Sequence, residues 1–298
     1  TSQERMEQYS HPYYEGAVDV ENDDKFSVIP PGVNTEVFNG NYSNANAEMI
    51  EQYLERDLEA DRVDKPAIIC ASRLDQKKNH LALVKAFAED KKLQQKANLI
   101  ITLRGIENPF KGYSKAAGEE KEILDQIMEV IEKNNLEGKV SMFPLSSQQE
   151  LADCYGYLAE KESVFSLTSF YEPFGLAPVE AMAAGLPAVV TKNGGQSEIM
   201  ADDQYGILID PEDPADIARG LKKIVGKSEV WKDYQIKARE RVLTTYTWEQ
   251  TAERYLKAME KGLSFEIPVI HSKIPAYYFL PDSDNEHKLL EKFKENVF

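Results

Sequence analysis

Short apolar runs alternate with helical segments along almost the whole chain, and this alternation constrains the fold more than any other feature. The runs lie near 26–29, 66–71, 98–104, 139–144, 164–168, 187–191 and 206–209. Helical patterns lie near 80–90, 119–134, 147–160, 178–184, 214–225, 229–244 and 248–262. A run that is apolar at every position has no polar face to give to water, so it must be covered on both sides. Strands of that kind separated by helices predict an α/β fold with a doubly wound parallel sheet, Rossmann-like. Some boundaries are marked chemically. Asp213-Pro214 pairs an N-cap with a proline at the first helical position, and Gly185 with Pro187 ends the helix begun at Pro178. Sheets of this class bind ligands outside the carboxyl ends of their strands, so the segments that follow the apolar runs are where chemistry is sought.

The segment Phe170–Pro187 is the most informative of these. The run Val164–Thr168 precedes it, and Glu172 and Glu180 flank a stretch holding Phe174, Gly175, Leu176 and Pro178. Glycine lets backbone approach a ligand, and proline suits a first helical turn. The unit reads as strand, tight loop and helix N-terminus, whose free N–H groups attract phosphate. A carboxylate before the loop and another in the first turn could hold hydroxyl groups on either side of a bound diphosphate. The plainer alternative is that both are solvated acids, one pairing with the helix dipole. A second cluster follows the run at 66–71, where Arg73 and Lys78 stand five residues apart across a turn. A planar guanidinium and a compact ammonium at one strand end can converge on one anion. Basic loops are ordinarily solvated, but this chain carries 51 acidic against 35 basic residues and a net charge of −16.

That acidity makes nucleic acid an unexpected partner. No apolar run approaches a membrane span, and no secretory pattern opens the sequence, so a cytoplasmic protein is expected. Cys70 and Cys154 lie in apolar contexts and read as core residues in a reducing compartment, with no disulfide or zinc framework. His11, His80, His271 and His287 sit in polar or terminal contexts and are expected at the surface. No Gly-x-Gly-x-x-Gly turn follows a strand, which weighs against a dinucleotide dehydrogenase.

Phe170–Pro187 closely resembles the signature of retaining glycosyltransferases with the GT-B fold. The resemblance implies that Glu172 lies beside the donor hexose, that Glu180 binds ribose hydroxyls, and that backbone amides of Phe174, Gly175 and Leu176 meet sugar and phosphates. It also implies that Arg73 and Lys78 hold the donor diphosphate and stabilise the leaving group without a metal. Arg73, Lys78 and Glu172 are then the catalytic set. Ser2–Arg5, Pro30–Asn34, Ser72–Asn79, Leu103–Ile106 and Thr191–Gly195 are further similar to bacterial sucrose-phosphate synthases, over most of residues 1–260. Implied are UDP-glucose as donor, fructose 6-phosphate as acceptor, and transfer with retention to give sucrose 6-phosphate, with no cofactor beyond the donor. Front-face attack, in which the leaving phosphate helps to deprotonate the acceptor, is inherited with that likeness. For the base, the loop after Phe143-Pro144-Leu145 is the candidate, with Leu145 and Gln149 as donor contacts and Ser147 and Gln148 nearby; Gln148 and Gln149 could equally open a helix. Gly194-Gly195 would let a loop approach the donor, or simply make a turn.

GT-B enzymes have two lobes facing across a cleft, and this chain has the elements of the second. Residues 1–24 are expected to be a remnant of the N-terminal acceptor lobe, 25–262 the nucleotide-sugar-binding lobe, and 263–298 a tail with a short helix at Glu286–Lys294. The expected partners are a nucleotide sugar, a sugar phosphate and the missing N-terminal lobe. Sucrose synthase, mannosylfructose-phosphate synthase, a GT-B epimerase and a non-catalytic nucleotide-sugar-binding lobe remain as alternatives.

Overall fold

The computed structural model describes residues 1–14, 19–21 and 26–264. The chain divides into two compact units, Thr1–Lys257 and Ala258–Phe298, and the first is the subject below. The helix expected at Glu286–Lys294, with His271 and His287, lies outside the described residues.

One parallel sheet organises the fold. Its strands are β1 Ala67–Cys70, β2 Asn98–Leu103, β3 Val140–Pro144, β4 Val164–Leu167, β5 Ala188–Thr191 and β6 Ile207–Ile209, in the order β3-β2-β1-β4-β5-β6. Every residue of β1 to β5 is buried, as continuous apolar runs require when helices cover both faces. The expected doubly wound α/β class is therefore what the chain adopts. The connections progress outward in opposite directions from the neighbouring strands β1 and β4, so the crevice at their carboxyl ends is the topological switch point.

The helices are α1 Ser2–Tyr9, α2 Asn44–Asp57, α3 His80–Glu89, α4 Lys91–Lys96, α5 Gly118–Lys133, α6 Gln148–Glu160, α7 Leu176–Ala183, α8 Gln196–Met200, α9 Pro214–Ile224, α10 Ser228–Thr245 and α11 Trp248–Ser264. The Asp213 carboxylate caps α9 by accepting from the Ala215 N–H at 2.9 Å, as the Asp-Pro signal predicts. Cys70 and Cys154 are free and buried in the core.

The expected strand near 26–29 does not form. Pro30 and Pro31 carry no N–H for a ladder and restrict the residues before them, so the segment runs irregularly. It is tied instead to the start of α11, where Val33 N–H donates to the Tyr246 carbonyl at 2.8 Å and the Thr251 hydroxyl to the Pro30 carbonyl at 2.9 Å.

Helix α2 carries almost no apolar stripe, burying only Ile50 and Leu54, which hides it from periodicity. Its work is at the sheet edge. Asp57 accepts from the Met142 N–H (3.1 Å) and the Ser141 hydroxyl (2.8 Å), and Arg56 donates to the Met142 carbonyl (2.8 Å). These bonds occupy edge groups of β3 that would otherwise offer a template for pairing. The other end of α2 is fixed by Asp153 on α6, which accepts from Ser43 N–H, the Ser43 hydroxyl and the Asn46 amide at 2.8–2.9 Å. Burial alone would raise that carboxyl. The hydrogen bonds outweigh it and hold Asp153 below the usual carboxylate range.

Candidate functional site

A cleft of about 590 Å³ opens beyond the carboxyl ends of β1, β2 and β3. Arg73, Leu145 and Glu180 line it, together with Ser72, Arg104 and Gln148. Residues distant in sequence reach one cavity because β1 and β4 are neighbours and their loops leave the sheet on the same side.

Glu180 lies farther along its helix than expected. Gly175, in the left-handed region at φ +86°, caps α7 and starts it at Leu176, two residues before Pro178. Pro178 is still within the first turn, where a missing N–H costs nothing, and Glu180 falls in the second turn. Its carboxyl is raised above the ordinary range by burial, against a lowering bond from the Gln148 side chain. Beneath it the buried Tyr155 hydroxyl has no hydrogen-bond partner. Burial and then the Glu180 charge hold that phenol protonated. Glu180 is a half-buried acceptor with capacity to spare, which suits hydroxyl donors from a ligand.

Asp75 orders the turn that carries Arg73 and Lys78. Asp75 Oδ1 accepts from the Lys78 backbone N–H at 3.1 Å, closing a single 3₁₀ turn over Gln76–Lys78, while Asp75 Oδ2 lies 3.4 Å from the Arg73 guanidinium. The Lys78 ammonium turns to Glu172 and donates to Oε2 at 2.5 Å, with side chains only 21% and 14% exposed. Arg73 is 67% exposed and lies in the cleft wall. The two cations thus pair with separate carboxylates instead of converging, and of the two only Arg73 lines the cleft. Asp75 was not among the expected site residues; its sequence signal is an N-cap acid three residues before Lys78.

Glu172 is fixed by backbone. It bridges Gly194, accepts from the Gly195 N–H at 2.9 Å and donates to the Asn193 carbonyl at 3.2 Å. A Cβ at Gly194 would stand 2.2 Å from the Glu172 carbonyl oxygen, and one at Gly195 2.3 Å from that of Pro173. The expected approach of this glycine pair is therefore to the Glu172 loop. Phe174 packs edge-on against Tyr246 at 5.7 Å, and its carbonyl accepts from the buried Gln196 amide at 3.1 Å. Phe174, Gly175 and Leu176 thus run into the start of α7, with Leu176 exposed. Gln149 turns away. Its amide donates to Asp153 at 2.6 Å, and Gln148 is the glutamine that faces the cleft.

His80 overturns the expectation of a surface histidine. It is 1% exposed, and its Nε2 lies 3.0 Å from the Ser72 hydroxyl. Burial, helped by Lys78 and opposed by Asp75 and the Ser72 backbone, pushes its pKa down to about 4, so the ring is neutral at pH 7. The polar letters before it, Gln76 to Asn79, mislead because α3 begins at His80 and turns this first residue inward. Among the described residues, no group of three or more His, Cys, Asp and Glu is placed to hold a metal ion, and no helix is long and apolar enough to cross a membrane.

Residues 51–241 match the glycosyl transferases group 1 family. The chain belongs to that family. A probable sucrose-phosphate synthase of Thermosipho melanesiensis is 37% identical over 263 residues, which are 88% of this chain and 53% of that protein. The chain thus spans about half the length of that relative. The sucrose-phosphate synthase of Thermosynechococcus elongatus superposes with a TM-score of 0.64 at 23% identity, covering 87% of this chain and 56% of that one. Anabaena HepE, solved with UDP and glucose, superposes with a TM-score of 0.64 at 17% identity, covering 85% and 61%. These likenesses agree with the Rossmann-like lobe described above as one lobe of a GT-B glycosyltransferase.

Proposed function

We propose that this chain is the donor-binding lobe of a retaining glycosyltransferase that moves glucose from UDP-glucose to fructose 6-phosphate, yielding sucrose 6-phosphate. The observation that carries the reading is the grouping at the switch point: Arg73, Gln148 and Glu180 around one cleft, with the Lys78–Glu172 pair set on the adjoining loops. Donor and acceptor are chosen on the likeness to sucrose-phosphate synthases, and the uridine diphosphate moiety also on HepE.

In this reading Glu180 accepts from the ribose hydroxyls and Leu145 lies beside the base. Arg73 and Lys78 stabilise charge that develops on the diphosphate as the glycosidic bond breaks. Lys78 must share or leave Glu172 to do so, which frees the Glu172 carboxylate for the hexose hydroxyls just as the sugar arrives. The chain's own residues thus bind, orient and neutralise the donor. The acceptor and its sugar-phosphate contacts belong to an N-terminal lobe, of which residues 1–24 are the end. Helix α1 fits that role: its Glu7 accepts from the Tyr171 hydroxyl at 2.5 Å, and Gln3 N–H donates to Glu198 at 2.9 Å. Residues 25–262 form the donor lobe and 263–298 the tail. The free, buried cysteines suit a reducing compartment, the cytoplasm.

Calorimetric titration with UDP, UDP-glucose, GDP and GDP-mannose tests the reading. Saturable binding of the uridine pair with weak guanosine binding is expected. Preference for GDP would move the assignment to a mannosyl donor, and no binding to any of the four would refute a preformed donor site in this chain.

A further inference from the structure

Ser72 stands in the wall of the cleft beside Arg73, and its oxygen is engaged from behind by a buried ring. His80 is neutral, so it holds one N–H. Nδ1 has no hydrogen-bond partner and Nε2 has Ser72. Were the proton on Nδ1, the core would contain an orphan donor, the rarer and costlier defect. With the proton on Nε2, the ring donates to Ser72 Oγ and only a bare lone pair is left at Nδ1. The Ser72 hydrogen is then released from the histidine. Its other neighbour is Cys70 Sγ at 3.9 Å, a weak acceptor, so the hydrogen is free to turn into the cleft.

We infer that His80 makes the Ser72 hydroxyl a committed donor to a phosphate oxygen of the bound nucleotide sugar, acting as a positioning residue through Ser72. This rests on the donor-lobe reading above. A hydroxyl in water serves equally as donor and acceptor. One whose oxygen already accepts from a rigid buried N–H favours anionic ligand atoms over ligand N–H and O–H groups. Beside the exposed Arg73 it supplies a short bond from a hydroxyl whose oxygen is already engaged.

Calorimetry on the 298-residue chain with UDP, and NMR titration with uridine, separates the possibilities for Ser72→Ala, His80→Leu, His80→Gln and the double variant Ser72→Ala/His80→Leu. Ser72→Ala should weaken UDP about tenfold, the lower end for a bond to a charged group, and leave uridine nearly unchanged. Adding His80→Leu to Ser72→Ala should cost less than about a further twofold, the limit of ordinary additivity error. His80→Gln, whose amide N–H can replace Nε2–H, should keep UDP affinity. If the unsubstituted chain binds neither ligand, the donor-lobe reading fails and takes this one with it. If it binds UDP and Ser72→Ala binds UDP equally well, only the present inference falls. A double variant much weaker than Ser72→Ala would show that His80 acts otherwise than through Ser72. Should His80→Leu not fold, Ser72→Ala and His80→Gln still decide.

Discussion

The buried neutral His80 should make the stability of this protein fall with acid over a defined window. Its pKa is about 4 in the folded chain, against about 6.5 when unfolded. The unfolded state therefore binds a proton more readily between those values, and stability rises with pH across them. Well above about pH 6.5 the ring is neutral in both states and contributes no slope. Below it the unfolded state gains until pH 4, where the accumulated loss is about 3 kcal/mol, from two and a half units at 1.36 kcal/mol each less the partial protonation of the folded ring. That is a large fraction of the 5–15 kcal/mol typical of a whole domain. Carboxylates held low in the fold, such as Asp153, also lose stability in acid, but mostly below this window. The comparison that isolates the ring is urea unfolding of the native chain and His80→Gln at pH 7, 5.5 and 4.5. The variant starts less stable at pH 7, and the gap between the two should narrow steadily toward pH 4.5. Parallel curves would mean that His80 is not the buried neutral ring described, and would remove the basis for assigning its proton to Nε2.

Binding and stability measurements check the rest of the site. Arg73→Ala or Lys78→Ala should weaken UDP by about 1.5–3 kcal/mol, the scale of a hydrogen bond to a charged group, when measured by calorimetry; unchanged affinity in both would sink the diphosphate assignment. Glu180→Ala should lower affinity for UDP, whereas Glu172→Ala should spare UDP and weaken UDP-glucose, and the opposite pattern would mean the carboxylates are exchanged in role. Because Glu172 holds Lys78 in the free chain, Glu172→Ala should if anything tighten UDP. Gly194→Ala sets a Cβ 2.2 Å from the Glu172 carbonyl oxygen at φ +90° and should cost about 1–3 kcal/mol in thermal or urea unfolding. A neutral outcome there would show that the two loops can separate freely.

What was legible in the sequence is what is written in contiguous letters. Continuous apolar runs dictate burial on both faces, hence the parallel sheet, and acids and bases placed after those runs must emerge at one end of it. The signature around Glu172 and Glu180 could be read for the same reason: strand, loop and helix start are local. Features made by packing between distant segments were not legible. Nothing in residues 44–57 says that Asp57 and Arg56 will cover the edge of β3, since the partner groups are backbone atoms of Met142. The strand expected at 26–29 does not form because Pro30 and Pro31 withhold N–H donors and restrict the residues before them, and the contact that holds the segment instead, to Thr251 of α11, is distant in sequence. Gln149 and Gln148 are adjacent, but one helical step separates the cleft from Asp153. His80 is the sharpest case, preceded by polar letters yet turned inward as the first residue of a helix. The same step that hides it from the sequence places it behind Ser72, and so a buried ring comes to govern a hydroxyl in the cleft. The pieces that hold the charged groups in register, Asp75, Gly194, Gly195 and His80, are those whose letters alone carry least meaning, because each acts on backbone or on a neighbour that only the fold supplies.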